Sequence, residues 1–427
     1  VQFSRDERYI VTDSIISPEF RSFPTSAWGS TYTEFLDDDP TLSDFQTPVL
    51  TLERAALESN VAVMAEWMRD RGLHIAPHGK TTMAPKLWKQ VLDAGAWGIT
   101  LATPWQVQLA RSFGIKRILL ANTLVDPAAL RWIADELRDD DFEFYCWVDS
   151  VESIRAMEAA LAGVKLHRPI DVVVELGAPG GRSGARSIEA ALWIADTVVA
   201  SPVLRVRGVG GYEGSLAHDR KPRSLAAVKR YLDEIVLLNG LLAQHYGRLR
   251  PIVTAGGSAY FDIVAEKFAR LVDTATVILR SGAYQVHDDG FYAGISPFAS
   301  HDRRLRSAMH GWARVVSRPE RGLALLDGGK RDFPIDEGLP HPQLVVGLDP
   351  GASAHVLAGS EIIALNDQHA HLTLGEHVSD QDLPVGSIVR LGLSHPCTAM
   401  DKWRLIPMID DASGADPRVV DLVRTWF

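Results

Sequence analysis

Two short segments of this sequence set reactive side chains in a suggestive context: Pro77-His78-Gly79-Lys80-Thr81-Thr82, and Ser394-His395-Pro396-Cys397. A lysine amine can form a Schiff base with a carbonyl group when neighbouring positive charge and partial desolvation favour its neutral form. Lys80 could equally be a solvated surface lysine, the commoner fate of that residue type. His395 and Cys397 lie near the end of the apolar run IVRLGLS. Residues two apart on a strand point to the same side, so an imidazole nitrogen and a thiolate would come within reach of one zinc ion. The competing reading is a buried cysteine beside an ordinary histidine. Two glycine-containing segments, Gly256-Gly257-Ser258 and Arg280-Ser281-Gly282-Ala283, could present backbone N–H groups to a phosphate. Either alone reads as turn punctuation, whereas the two together, after consecutive strands, read as an anion site.

Positioning these groups requires regular elements. From Thr47 onward, short β-rich apolar runs alternate with longer stretches of helical spacing, a pattern that predicts parallel strands joined by crossover helices. Eight runs can be counted: 73–77, 98–102, 117–121, 142–148, 171–176, 206–211, 252–255 and 277–279. Eight such units predict an α/β fold of the (β/α)8 barrel type, whose site lies at the C-terminal ends of the strands. Lys80, the Gly180-Gly181-Arg182-Ser183-Gly184 segment, Tyr212-Glu213-Gly214, Ser258 and Arg280 all follow such runs directly. Beyond about residue 305, short strands and turns take over, which predicts a C-terminal antiparallel β domain. The expected organisation is an N-terminal arm over 1–45, a strand over 46–52 that joins the β domain, the barrel over 53–305 and the β domain over 306–427.

Composition narrows the chemistry. The formal net charge is −10 and no Lys/Arg-rich run reverses it, which argues against a nucleic-acid partner. No stretch approaches the roughly 20 apolar residues of a membrane span. Two cysteines are too few for a disulfide framework, and VQFSRDERYIVTDS lacks the features of a secretory signal. The expectation is a cytoplasmic protein that acts on small molecules.

Taken in order, PHGKT, GRSG, GGYEG, AGGS, RSGAY and SHPCTAMDKW resemble the D-serine dehydratase and D-threonine aldolase group of the alanine-racemase-like pyridoxal-phosphate enzymes, over about residues 47–408. The resemblance implies pyridoxal 5'-phosphate, a β domain that takes in the strand near 47–52, and a homodimer. It assigns Lys80 to the Schiff-base position and Gly257, Ser258, Gly282 and Ala283 to the phosphate. It places Arg280 at the pyridine nitrogen, and Arg182 and Tyr212 near the cofactor, where a packing or capping role stands beside direct contact. His395 and Cys397 match the metal pair of the dehydratases, which bind zinc, whereas the aldolase branch usually carries Asp at the second position. The chain departs from the pattern in GAPGGRSG, in Ser215 where a histidine commonly follows YxG, and in the arm.

The activity so implied is a pyridoxal-phosphate- and zinc-dependent dehydration of a D-3-hydroxy amino acid such as D-serine or D-threonine, giving a 2-oxo acid and ammonia. The alternatives are aldol cleavage to glycine and an aldehyde, dehydration of a sugar amino acid such as D-glucosaminate, and a non-enzymatic pyridoxal-phosphate carrier. The Lys80 assignment is tested directly. The purified protein should absorb at roughly 410 to 430 nm, and borohydride should abolish the band by fixing the cofactor on Lys80. An adduct mapped to another lysine would refute it.

Overall fold

The computed structural model describes residues 14–299 and 304–427. The β-branched and leucine-rich runs form strands as the alternation predicts. Strand β1 (Val49–Glu53) comes first, and the parallel strands follow it: β2 (His74–Ile75), β3 (Ile99–Leu101), β4 (Arg117–Thr123), β5 (Glu143–Val148), β6 (Ile170–Leu176), β7 (Leu204–Gly211), β8 (Ile252–Ala255) and β9 (Thr276–Leu279). The eight strands β2 to β9 pair in the order β2-β9-β8-β7-β6-β5-β4-β3. The sheet curls until its edges meet, where Trp97 N–H donates to Ile75 O at 2.7 Å and Thr100 N–H donates to Pro77 O at 2.9 Å. Ala76, Leu119, Tyr145, Trp147, Val173, Ile252 and Ile278 fill the interior. A larger core lies between the strands and the surrounding helices. Helix-covered parallel strands are buried on both faces, which explains why β6 carries an almost unbroken apolar run.

The C-terminal region adds β10 (Met309–Glu320), β11 (Leu323–Leu326), β12 (His341–Val345), β13 (Glu361–Leu365), β14 (Ala370–Thr373), β15 (Ile388–Gly392), β16 (Leu405–Ile409) and β17 (Val419–Arg424). Most pairings are antiparallel, but β1 runs parallel to β16 while pairing antiparallel with β10. The sheet is therefore mixed, because the strand before the barrel enters it from the opposite end of the sequence. The arm contains a helix at Tyr32–Asp37 that Thr31 and Glu34 start with a reciprocal capping box. Phe23, Phe35 and Phe45 form a mutual aromatic cluster with centroids 4.9 to 5.9 Å apart, joined to the core of the β region. Among the described residues, no helix is long and apolar enough to cross a membrane.

One buried amide fastens the two regions. Asn60, on the helix Arg54–Arg69, donates to Gln285 O at 3.0 Å and to Arg306 O at 2.7 Å, and accepts from Arg306 N–H at 2.8 Å. Asn60→Leu removes all three bonds and strands their backbone partners. The variant should lose about 3 kcal/mol, read as a lower denaturant midpoint at unchanged slope. An unchanged midpoint would show that water replaces the amide.

Candidate active site at the barrel mouth

Lys80 lies in a single 3-10 turn, Gly79–Thr81, just beyond β2. The turn is fixed from below by Trp88, whose indole N–H donates to Gly79 O at 3.1 Å. Gly79 is required by this close approach, since a Cβ there would lie 2.8 Å from Ile99 Cγ2 and 2.9 Å from the indole nitrogen. The Lys80 side chain enters a cavity of about 170 Å³ lined also by His78, Trp147, Glu175, Arg182, Tyr212, Ser258, Arg280, Tyr292, His395 and Cys397. Gly257, Gly282 and Ala283 line it too, so the structure brings all ten residues singled out in the sequence to one cavity.

Their environments differ. Arg280 is buried, with its guanidinium donating to Thr254 Oγ1 at 2.7 Å and to Gly211 O at 2.6 Å. Burial lowers its pKa, while the neighbouring Glu213 and Glu175 carboxylates act in the opposite sense. Ser258 Oγ accepts from Ala283 N–H at 3.2 Å. Gly282 packs against the Lys80 turn so closely that a Cβ would fall 2.7 Å from His78 O. This backbone cradle, which a side chain would fill, suits a phosphate. The Gly257 amide is placed differently from the expectation: it donates to Glu213 Oε1 at 2.5 Å, and Gly256 N–H donates to Glu213 Oε2 at 2.9 Å. The fully buried Glu213 carboxylate thus occupies this N–H pair and shapes the loop, leaving Ser258, Gly282 and Ala283 toward the cavity. Arg182 is exposed at the mouth, its guanidinium 5.0 Å from the Tyr212 ring centroid.

His395 and Cys397 meet, but not on a strand as expected. His395 is a left-handed residue at φ +51°, and Cys397 lies in the first turn of the helix Pro396–Met400. His395 Nδ1 is held by Asp336 Oδ2 at 2.5 Å, and the ring also bonds Cys397. That bond, partly opposed by burial and reinforced by Asp336, raises His395 to about 9. Burial would raise the Cys397 thiol, but the His395 and Thr81 bonds outweigh it and hold it below its ordinary value. Thr81 Oγ1 lies 3.3 Å from Cys397 Sγ, so the lysine turn touches the cysteine. Among the described residues, no cluster of three or more His, Cys, Asp or Glu side chains forms a complete metal cage. A soft thiolate and an imidazole anchored by a carboxylate nevertheless fit zinc with positions left open.

Sequence reasoning missed several supports. Glu175, the penultimate residue of β6, has one oxygen accepting from Ser183 Oγ at 3.0 Å and the other buried without a partner; burial raises its pKa. A charged residue inside the run VVVEL was the available signal. Asp288 accepts from Gly290, Tyr292 and Ala293 N–H with one oxygen and from His395 N–H at 2.9 Å with the other. Tyr292, Asp288 and Asp336 follow no barrel strand directly, so strand-end reasoning could not find them.

The chain is similar to several known proteins. Residues 308–409 match the family model described as a putative serine dehydratase domain. The chain is 26% identical over 361 residues to a D-threonine aldolase of Arthrobacter sp., covering 84% of this chain and 87% of that protein. It is 24% identical over 368 residues to a D-threo-3-hydroxyaspartate dehydratase of Delftia sp. (strain HT23), covering 84% and 92%. Its fold is similar to the crystal structure of a D-threonine aldolase from Filomicrobium marinum, with a TM-score of 0.74 and 23% identity over 90% of this chain and 96% of that one.

The Glu213 arrangement generates a prediction. Glu213→Gln turns one of the two acceptors into a donor that faces a backbone N–H and removes a charge beside Arg280. Affinity for pyridoxal phosphate should fall at least about tenfold in an absorbance titration of the apoprotein. Unchanged affinity would show that the Gly256-Gly257 loop does not shape the phosphate end.

Proposed function

We propose that this chain, which is similar to a D-threonine aldolase and a D-threo-3-hydroxyaspartate dehydratase, is a lyase of D-3-hydroxy amino acids, specifically a dehydratase that yields a 2-oxo acid and ammonia. The observation that carries the reading is the Cys397 sulfur beside His395, in the wall of the cavity that Lys80 also lines. We assign Lys80 to the carbonyl carbon of pyridoxal phosphate, Ser258, Gly282 and Ala283 to its phosphate, and His395 with Cys397 to zinc. The same premise supports a cytoplasmic homodimer. When bound, pyridoxal phosphate draws off the electrons left at the α carbon, and zinc draws electrons from the β oxygen.

The chain's own groups do the rest. The free Lys80 amine takes the α proton. Arg280 is locked by Thr254 and Gly211, always donates and never accepts, and so would keep a ring nitrogen bound against it unprotonated. That would weaken electron withdrawal at the ring and place more of the demand on the leaving oxygen. Cys397, which touches the Lys80 turn through Thr81, and His395 would meet that demand by holding the Lewis acid. Loss of the α proton and of the β oxygen forms a carbon–carbon double bond, and the resulting enamine hydrolyses to the oxo acid and ammonia. Arg182, exposed at the mouth above Tyr212, is the cation best placed to receive a substrate carboxylate.

The second reading is aldol cleavage, favoured by the similarity to the Arthrobacter aldolase. A thiolate rather than a carboxylate at position 397 argues for dehydration, since it selects the softer Lewis acid zinc. A panel of D-3-hydroxy amino acids scored for ammonia and 2-oxo acid against glycine and aldehyde separates the two. Cys397→Ala should lower ammonia release by about a hundredfold or more while the bound-cofactor absorbance persists. Glycine and aldehyde as the main products would overturn the dehydratase assignment.

A further inference from the structure

One side chain of the arm that precedes the barrel, Arg21, bonds both segments that flank the metal pair. Arg21 donates to Asp332 Oδ1 at 2.7 Å, to Lys402 O at 2.7 Å and to Arg331 O at 3.3 Å. Its guanidinium lies 3.7 Å from the Trp403 ring centroid. These partners belong to two separate segments. Arg331 and Asp332 lie in the loop between β11 and β12, which also carries Asp336. Lys402 and Trp403 directly follow the helix Pro396–Met400, which begins at His395 and contains Cys397.

The two segments are exact neighbours in function as well as in space: Asp336 accepts from Thr398 Oγ1 at 2.7 Å and holds His395 Nδ1. Asp332 is only 2% exposed, and its other oxygen accepts from Gly329 N–H at 2.9 Å and from Gln368 Nε2 at 3.1 Å. The buried Trp403 donates its indole N–H to Asp332 O at 3.0 Å. Both segments are therefore packed tightly, and Arg21 binds each of them. A planar guanidinium can stack on an indole while bonding a carboxylate and a carbonyl at once, which an ammonium cannot do.

We propose that Arg21 is a positioning residue for the metal pair: the arm clamps the Asp336 loop to the segment that carries His395 and Cys397, and so fixes the imidazole against the thiolate. The inference rests on the assignment of zinc to His395 and Cys397. Carboxylates and loops that orient a metal-bound histidine change metal affinity by about 10- to 100-fold when lost. The arm acts one step further out, so its loss should fall at the lower end of that range.

The test uses the full-length holoenzyme with pyridoxal phosphate bound. Zinc affinity is measured by chelator competition, and cobalt is substituted to read the thiolate-to-cobalt charge-transfer band. Arg21→Ala should weaken zinc about tenfold, diminish or shift the cobalt band, and leave the cofactor absorbance unchanged. Arg21→Lys, which keeps only the ion pair, should restore part of the affinity. Since Arg21→Ala leaves the buried Asp332 without its cation and could fail to fold, Arg21→Met combined with Asp332→Asn removes the clamp without an unpaired buried charge. Zinc affinity and cobalt spectrum within twofold of the parent in either clamp-free variant would overturn the proposal, even if thermal stability fell. A parent protein whose zinc binding is indifferent to Cys397→Ala would instead refute the metal assignment on which the inference stands.

Discussion

The buried carboxylate of Asp288 ties the two halves of the site together. It follows the last barrel strand and is almost wholly removed from solvent. Four backbone N–H groups satisfy it: those of Gly290, Tyr292 and Ala293 on one oxygen and of His395 on the other. Burial raises its pKa to about 6 against the opposing effect of these bonds, so the group is charged at neutral pH and its partners repay its lost hydration. The consequence is geometric. The lysine and the phosphate cradle belong to the barrel, the histidine and the cysteine to the β region, and one rigid ion sets the distance between them. The same oxygen that starts the helix Phe291–Ile295 also brings Tyr292 to the cavity wall.

The cavity is also balanced in charge. Arg280 is buried between Glu213 and Glu175, so its cation is largely compensated within the protein. His78, with Nδ1 buried and unpartnered, is driven well below its ordinary pKa by burial and then by Lys80, Arg280 and Arg182, and stays neutral. Among the barrel's groups, positive charge available to an anionic guest is thereby carried by Lys80, Arg182 and the N–H groups around Gly282. That distribution suits a guest with a phosphate at one end and carboxylates at the mouth, and it gives a physical reason why a histidine next to Lys80 does not repel the amine's protonated form.

How much of this was legible in the sequence depended on whether the signal was local. The barrel strands could be read because each is a short β-branched run between helical stretches, and Lys80, Ser258 and Arg280 could be found because they follow those runs directly. The mixed sheet was less visible: β1 pairs with β10 and β16, more than 250 and 350 positions away, and nothing in VLTLE specifies a parallel neighbour. Glu213 was seen only as part of a motif, and its capture of the Gly256 and Gly257 amides depends on the close approach of two loops. The arm looked irregular because its apolar residues follow no period. They pack as a three-dimensional aromatic cluster instead, which a one-dimensional pattern cannot show.

The metal pair shows why the right residues can be found for an incomplete reason. Positions two apart share a face on a strand but not on a helix, and Cys397 lies in a helix. What joins it to His395 is the left-handed backbone at φ +51°, which turns the imidazole back over the first helical turn. A residue with a Cβ pays about 1 kcal/mol or more to adopt that conformation, so it persists only where neighbours over-determine it. Here Asp288 takes the His395 N–H, Asp336 takes the ring, and Pro396 begins the helix without needing a donor. The strain and its three restraints together leave one ring nitrogen of His395 beside the Cys397 sulfur, whose pKa those bonds lower, at the edge of the cavity that Lys80 enters. These are the two side chains that we propose would hold a Lewis acid.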